Sequence, residues 1–124
     1  MLSGLRVLVV EDEPVVAEDI GETIREAEGE VVGPFASVQD ARMLLKGNTA
    51  VDAAVLDVNL KDGKITPVLE SLRARGIPIV VYTGASLPED VRRRHPDLIS
   101  LSKPVRPARV IAELRRASIG KLAV

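Results

Sequence analysis

The chain has 124 residues, a formal net charge of −1 and 46% hydrophobic residues, with one Phe, one Tyr and no Cys. That length suits one domain able to bury a core without covalent staples. The missing cysteines exclude disulfides, thiolate metal sites and a thiol nucleophile, the near-neutral charge argues against a generic polyanion binder, and no apolar run reaches bilayer-spanning length.

With so few aromatics, the core must be built from Val, Leu, Ile and Ala. Residues 1–6 do not form a secretory signal, so a cytoplasmic location is expected. In chain order, Leu5 to Val10 reads as a buried strand. Pro14 to Glu28 reads as a helix with Val16, Ile20, Ile24 and Ala27 on one stripe, opened by Pro14 and stopped by Gly29. Glu30 to Gly33 is a short, weak second strand. Ser37 caps the next helix with Asp40 three residues on. Val38, Ala41, Leu44 and Leu45 face its core, and Gly47-Asn48 ends it. Ala53 to Asp57 is the third strand, and Lys61-Asp62-Gly63 a turn. A helix follows from Ile65 to Arg75, with Gly76 after it. Ile77 to Tyr82 is the fourth strand. Ser86 to Glu89 has capping-box spacing and opens a short helix that Pro96 cuts off. Leu98 to Leu101 is the fifth strand. Pro107 opens a last helix with Val110, Ile111, Leu114 and Ala117 inward, and residues 118–124 are expected to fray.

Strands separated by helices need crossover connections and therefore a parallel sheet. The reading is one α/β domain over residues 1–124, a doubly wound sandwich of flavodoxin-like or Rossmann-like order. Acids follow the first strand in place of Gly-x-Gly-x-x-Gly. They would repel a pyrophosphate, so no nucleotide cofactor is expected.

Carboxyl ends of parallel strands face the crevice where open α/β sheets bind ligands. On that rim the first strand gives Glu11 and Asp12, the third Asp57, the fourth Thr83 and the fifth Lys103. Close carboxylates repel unless they are protonated or share a cation. Mg²⁺ (or Mn²⁺) takes hard oxygen ligands, and a carboxylate is also a competent nucleophile toward phosphorus. The inventory therefore suits handling of a phosphoryl group with a divalent cation. Taken singly, each residue has a plainer explanation. Asp57 would be a loop carboxylate, Thr83 a strand-end hydroxyl and Lys103 a solvated ammonium. Glu11, Asp12 and Glu13 would favour a helix N-terminus, and Glu13 is given that role alone. The Arg92-Arg93-Arg94-His95 run reads as a solvated helix face without nucleic-acid function. His95 is read as a helix-end residue, not a metal ligand.

Val-Leu-Val-Val-Glu-Asp-Glu at 7–13, Leu-Asp-Val-Asn-Leu at 56–60, Tyr-Thr-Gly at 82–84 and Ser-Lys-Pro at 102–104 together resemble the response-regulator receiver domain of two-component signalling. The resemblance implies a flavodoxin-like, five-stranded parallel sheet of order 2-1-3-4-5 with helices on both faces. It implies that Asp57 takes a phosphoryl group from a histidine kinase or histidine phosphotransfer protein. It implies Mg²⁺ held by Asp12, Asp57 and the backbone carbonyl of Asn59, with Glu11 acting through water. Thr83 and Lys103 would contact the phosphoryl group, and Lys103–Pro104 would be cis. Such a domain catalyses only its own phosphorylation and dephosphorylation and is not otherwise an enzyme.

The similarity is to a stand-alone receiver, so no effector domain is expected, and output to a protein target that the sequence does not identify would pass through protein contact. A phosphorylation-dependent dimer is compatible with this scheme; a nucleic-acid or membrane partner is not expected. The family's frequent aromatic on the fifth strand is replaced by Ser100. Two rival readings stand beside this one. Asp57-Val58-Asn59, Thr83 and Lys103 also imitate haloacid-dehalogenase-like phosphatases, although Asn59 stands where their acid–base Asp would be. A receiver-like scaffold working without phosphate is the other.

Overall fold

The computed structural model describes residues 2–119, so the expected fraying of 118–124 falls mostly outside the described residues. In chain order the elements are β1 (Arg6–Val10), α1 (Pro14–Glu26), β2 (Glu30–Phe35), α2 (Val38–Lys46), β3 (Ala53–Leu56), β4 (Asn59–Leu60), β5 (Gly63–Lys64), α3 (Thr66–Ala74), β6 (Ile79–Thr83), α4 (Glu89–Arg94), β7 (Ile99–Ser102) and α5 (Pro107–Ala117). The main sheet has five strands in the order β2-β1-β3-β6-β7, every neighbouring pair parallel. This is the flavodoxin-like order, with β6 and β7 as the fourth and fifth long strands. The Rossmann-like alternative is set aside. β4 and β5 form a separate antiparallel hairpin around the turn read at Lys61-Asp62-Gly63.

Alternation along each strand divides the core in two. Leu8 and Val10, Ala54 and Leu56, and Ile79 and Val81 pack toward α2, α3 and α4. Val7 and Val9, Ala53 and Val55, and Val80 and Tyr82 pack toward α1 and α5, with Ile20, Ile24, Val110 and Leu114. Leu2 belongs to the second cluster and is fully buried. Its amide donates to the Ala27 carbonyl at 2.7 Å, so the chain is already fixed ahead of β1.

Several boundaries differ from the sequence reading for identifiable reasons. β2 runs to Phe35, past Gly33, with a register irregularity opposite Leu8–Val10. The Gly33–Pro34 peptide is cis, as is Lys103–Pro104. α1 stops at Glu26, before the expected Glu28. Gly29 does not supply the left-handed residue; Glu28 does, at φ 68°. The Glu28 amide donates to the Arg25 carbonyl and the Gly29 amide to that of Ile24, each at 2.9 Å. That is a Schellman ending. Gly29 is small because a Cβ there would lie 2.9 Å from Ile24 Cγ2 and 3.2 Å from Leu2 Cβ.

Ser37 caps α2 by accepting from the Asp40 amide at 3.1 Å, as its position suggested. The capping box read at Ser86 does not form. Pro88 takes the N-cap position of α4, and no side chain bonds the helix start. With ψ at 142°, Pro88 is extended, so the helix begins only at Glu89. Among the described residues, no helix is long and apolar enough to cross a membrane.

Candidate functional site

The backbone ladder of the sheet brings the rim residues into line. The Glu11 amide donates to the Phe35 carbonyl, the Asp57 amide to Val10 and the Lys103 amide to Thr83, each at 2.9 Å. These bonds continue the parallel pairing one step past the strands, so residues from distant parts of the sequence emerge side by side. Glu11, Asp57 and Thr83 are buried, at 4%, 6% and 2% exposure. The Lys103 side chain is 13% exposed.

Carboxylate oxygens of Glu11, Asp12 and Asp57 all lie within 4.8 Å of one another. The Lys103 ammonium sits among acids: Nζ is 2.9 Å from Glu11 Oε1, 3.2 Å from Asp57 Oδ2 and 2.6 Å from Glu13 Oε1. Asp57 Oδ1 accepts from the Val58 amide at 2.7 Å. Thr83 Oγ1 accepts from the Ala85 amide at 3.2 Å, which ties the hydroxyl to the loop after β6. Asn59 lies two residues beyond Asp57, exposed, at the start of the β4–β5 hairpin.

Burial pushes the Glu11 carboxyl up from 4.5 to about 7, opposed by its bond from Lys103 and its acceptance of the Glu13 amide, and reinforced by the negative charge of Asp57. For Lys103, burial would favour the neutral amine. The hydrogen bonds to Glu11, Glu13 and Asp57 outweigh it and hold the ammonium above the ordinary lysine value. The cluster thus has more carboxylate than one ammonium can neutralise.

A divalent cation fits this donor set. The three clustered carboxylates offer hard oxygens close enough to share one ion. The cost of holding Glu11 charged beside Asp57 is the kind that a cation removes. By the same geometry, an oxyanion joined to Asp57 would lie within reach of the Lys103 ammonium.

Sequence reasoning missed Glu13 as part of the rim. It occupies the N-cap position of α1 but makes no side-chain cap bond. Its carboxylate instead reaches Lys103, ninety residues along the chain. An acid just before a helix-opening Pro looks like a capping residue. The available signal was stoichiometric: Glu11, Asp12, Glu13 and Asp57 converge on the rim that carries Lys103. Tyr82, next to Thr83 on β6, points to the opposite face of the sheet, into the cluster under α1 and α5. Its hydroxyl accepts from the Val105 amide at 3.1 Å and donates to the Val105 carbonyl at 3.0 Å. This anchors the loop that carries Lys103, and Nζ stands 5.7 Å from the Tyr82 ring centre. His95 ends α4, with Nε2 2.8 Å from Glu70 Oε1. Ser100 is exposed on β7 opposite Val81. It helps line an open cleft of about 280 Å³ with Leu87, Arg92 and Ser102.

A flavodoxin-like sheet with clustered acids and a half-buried lysine on its carboxyl rim defines a receiver-type domain. The model of the response regulator receiver domain matches residues 7–115, and the chain belongs to that family. Receivers are signalling modules, which distinguishes this chain from the haloacid-dehalogenase-like phosphatases. Solved structures agree. A response regulator receiver protein from Sinorhizobium medicae WSM419 is similar at 25% identity and a TM-score of 0.83, covering 94% of this chain and 96% of that one. SdrG from Sphingomonas melonis Fr1 is 34% identical with a TM-score of 0.78, over 96% and 99% of the two chains. The receiver domain of the sensor histidine kinase PA1611 from Pseudomonas aeruginosa PAO1 is 26% identical with a TM-score of 0.76, over 95% and 99%, and has a magnesium ion coordinated in its active-site cleft. No curated protein sequence matches significantly.

Proposed function

We propose that this receiver takes a phosphoryl group from a phosphohistidine onto Asp57 and signals through protein contacts. The observation that carries the reading is the convergence of Glu11, Asp12, Asp57 and Lys103 on one rim. In the proposed step an Asp57 carboxylate oxygen attacks phosphorus, and the donor's P–N bond breaks. Its electron pair returns to the imidazole, and an acyl phosphate forms. Lys103, already 3.2 Å from Asp57 Oδ2, neutralises charge on the phosphoryl oxygens. The Thr83 hydroxyl leaves the Ala85 amide to donate to one of them. Preformed charge of this kind is the main catalytic resource in phosphoryl transfer.

Glu11, Asp12 and Asp57, with the Asn59 carbonyl, would hold Mg²⁺ or Mn²⁺, and the cation would supply further charge neutralisation. The magnesium in the cleft of the PA1611 receiver supports that assignment. The donor would be a histidine kinase or a histidine phosphotransfer protein. Output would leave by the face of α4, β7 and α5. Arg92, Arg93, Arg109 and Arg115 are exposed on those helices, and basic residues favour an acidic partner surface.

Incubation with phosphoramidate and Mg²⁺ tests the reading. Intact-mass measurement should show one added phosphoryl group on the wild type, none on Asp57→Asn, and little after chelation. Equal labelling of Asp57→Asn would overturn the assignment.

A further inference from the structure

Of the three acids that contact Lys103, Glu13 makes the shortest bond, at 2.6 Å, and is the most exposed, its side chain at 59%. It is not one of the three carboxylates, Glu11, Asp12 and Asp57, whose oxygens lie within 4.8 Å of one another. Its side chain is also not used for the task its position offers, since it makes no cap bond to α1. Glutamate is not among the preferred N-cap residues, and here its carboxylate bonds Lys103 instead.

We propose that Glu13 is a positioning residue that competes with the phosphoryl group for Lys103, and so sets how readily the phosphorylated state forms and how long it lasts. The proposal rests on the phosphoacceptor reading of Asp57 and deepens it. In the resting state Lys103 is shared among three carboxylates. A phosphoryl group on Asp57 brings oxyanions that need the same ammonium, whose three N–H bonds are then over-subscribed. Glu11 and Asp57 are buried and would be costly to leave unpaired. Glu13 is exposed and returns to water at little cost, so its bond is the one that yields. Measured exposed ion pairs are worth about 0.2–1 kcal/mol, a factor of roughly 1.4 to 5 in the equilibrium. Glu13 therefore acts as a modest brake. The tie also joins α1 to the loop after β7, and phosphorylation would release it.

The test uses beryllofluoride with Mg²⁺ as the phosphoryl mimic, with affinity measured by calorimetry. The emission of Tyr82, the sole Tyr in a chain without Trp, reports on the nearby ammonium. Glu13→Gln should bind the mimic more tightly than the wild type by a factor of roughly 1.4 to 5, and its acyl phosphate should hydrolyse more slowly by a similar factor. Glu13→Asp, which keeps the charge on a shorter arm, should fall between them. Glu18→Gln is the control for bulk charge, because Glu18 lines the neighbouring cleft wall with Glu11 and Asp12 but makes no ion pair with Lys103. It should move the affinity much less.

Equal gains from Glu13→Gln and Glu18→Gln would overturn the competition, as would an unchanged or weakened affinity in Glu13→Gln. Undiminished binding of the mimic by Asp57→Asn would instead defeat the phosphoacceptor reading itself, so the two failures are distinguishable.

Discussion

Glu11 shows how one residue couples the site to stability. Its carboxyl is raised from 4.5 to about 7, chiefly by burial. The metal-free fold therefore favours the protonated acid. This contribution to stability is fully present below about 4.5 and is lost as pH rises through about 7. A cation held by Glu11 would need the ionised form, so its binding would release a proton. Added Mg²⁺ should raise the melting temperature clearly at about pH 8 and little at about pH 5, and Glu11→Gln should remove most of that difference. An equal shift at both pH values would contradict the role given to Glu11. The acids after β1 and Asp57 after β3 were legible from the sequence, because apolar runs ending in carboxylates put them at the carboxyl ends of neighbouring parallel strands. The partnership of Glu13 with Lys103 was not, because local spacing says nothing about which of four acids a distant ammonium will choose.

At the scale of elements, two helix ends give a controlled comparison. α1 and α3 both finish in Schellman turns. Gly76 takes the left-handed position after α3, at φ 69°, while Glu28 takes it after α1, at φ 68°. A side chain in that conformation is strained by about 1–2 kcal/mol. Glu28→Gly should accordingly raise stability by about 0.5–1 kcal/mol in urea unfolding, the gain trimmed by the added freedom of the unfolded chain. Gly76→Ala should lower it by about 1 kcal/mol. A loss of stability in Glu28→Gly would refute this account of the α1 ending.

The start of α2 carries a second lesson. Ser37 was legible as its cap, and Ser37→Ala should cost about 1 kcal/mol. Asp62 was read only as a turn residue. Its two oxygens accept from the Val38 and Gln39 amides at 2.9 and 3.0 Å. Those bonds hold its carboxyl below the ordinary value, so this stabilisation is present at neutral pH and lost as pH falls. The bonds join the hairpin that follows Asp57 to the start of α2. They cross 23 and 24 residues of sequence, beyond the reach of any capping pattern.

For the whole molecule, one sheet shared by two apolar clusters predicts cooperative unfolding. Leu72 and Leu114 are fully buried on opposite faces. Leu72→Ala and Leu114→Ala should each cost about 2–5 kcal/mol, with far- and near-ultraviolet signals lost together. Separate transitions for the two variants would argue against a common core. Strand–helix alternation made the doubly wound class readable. The strand order came from the motif resemblance, since Val-rich runs do not name their neighbours. The lengthened β2 and the failed Ser86 cap were decided by contacts remote in sequence or by Pro88.

On the proposed function, folding assembles one phosphoryl-accepting rim with Asp57 at its centre. Borohydride reduction of the phosphorylated protein converts an acyl phosphate to an alcohol, and peptide mass spectrometry then locates the altered residue. Homoserine is expected at position 57, at no other acid, and only when Mg²⁺ or Mn²⁺ was present during phosphorylation. Reduction product at Glu11, Asp12 or Glu13, with Asp57 unchanged, would contradict it.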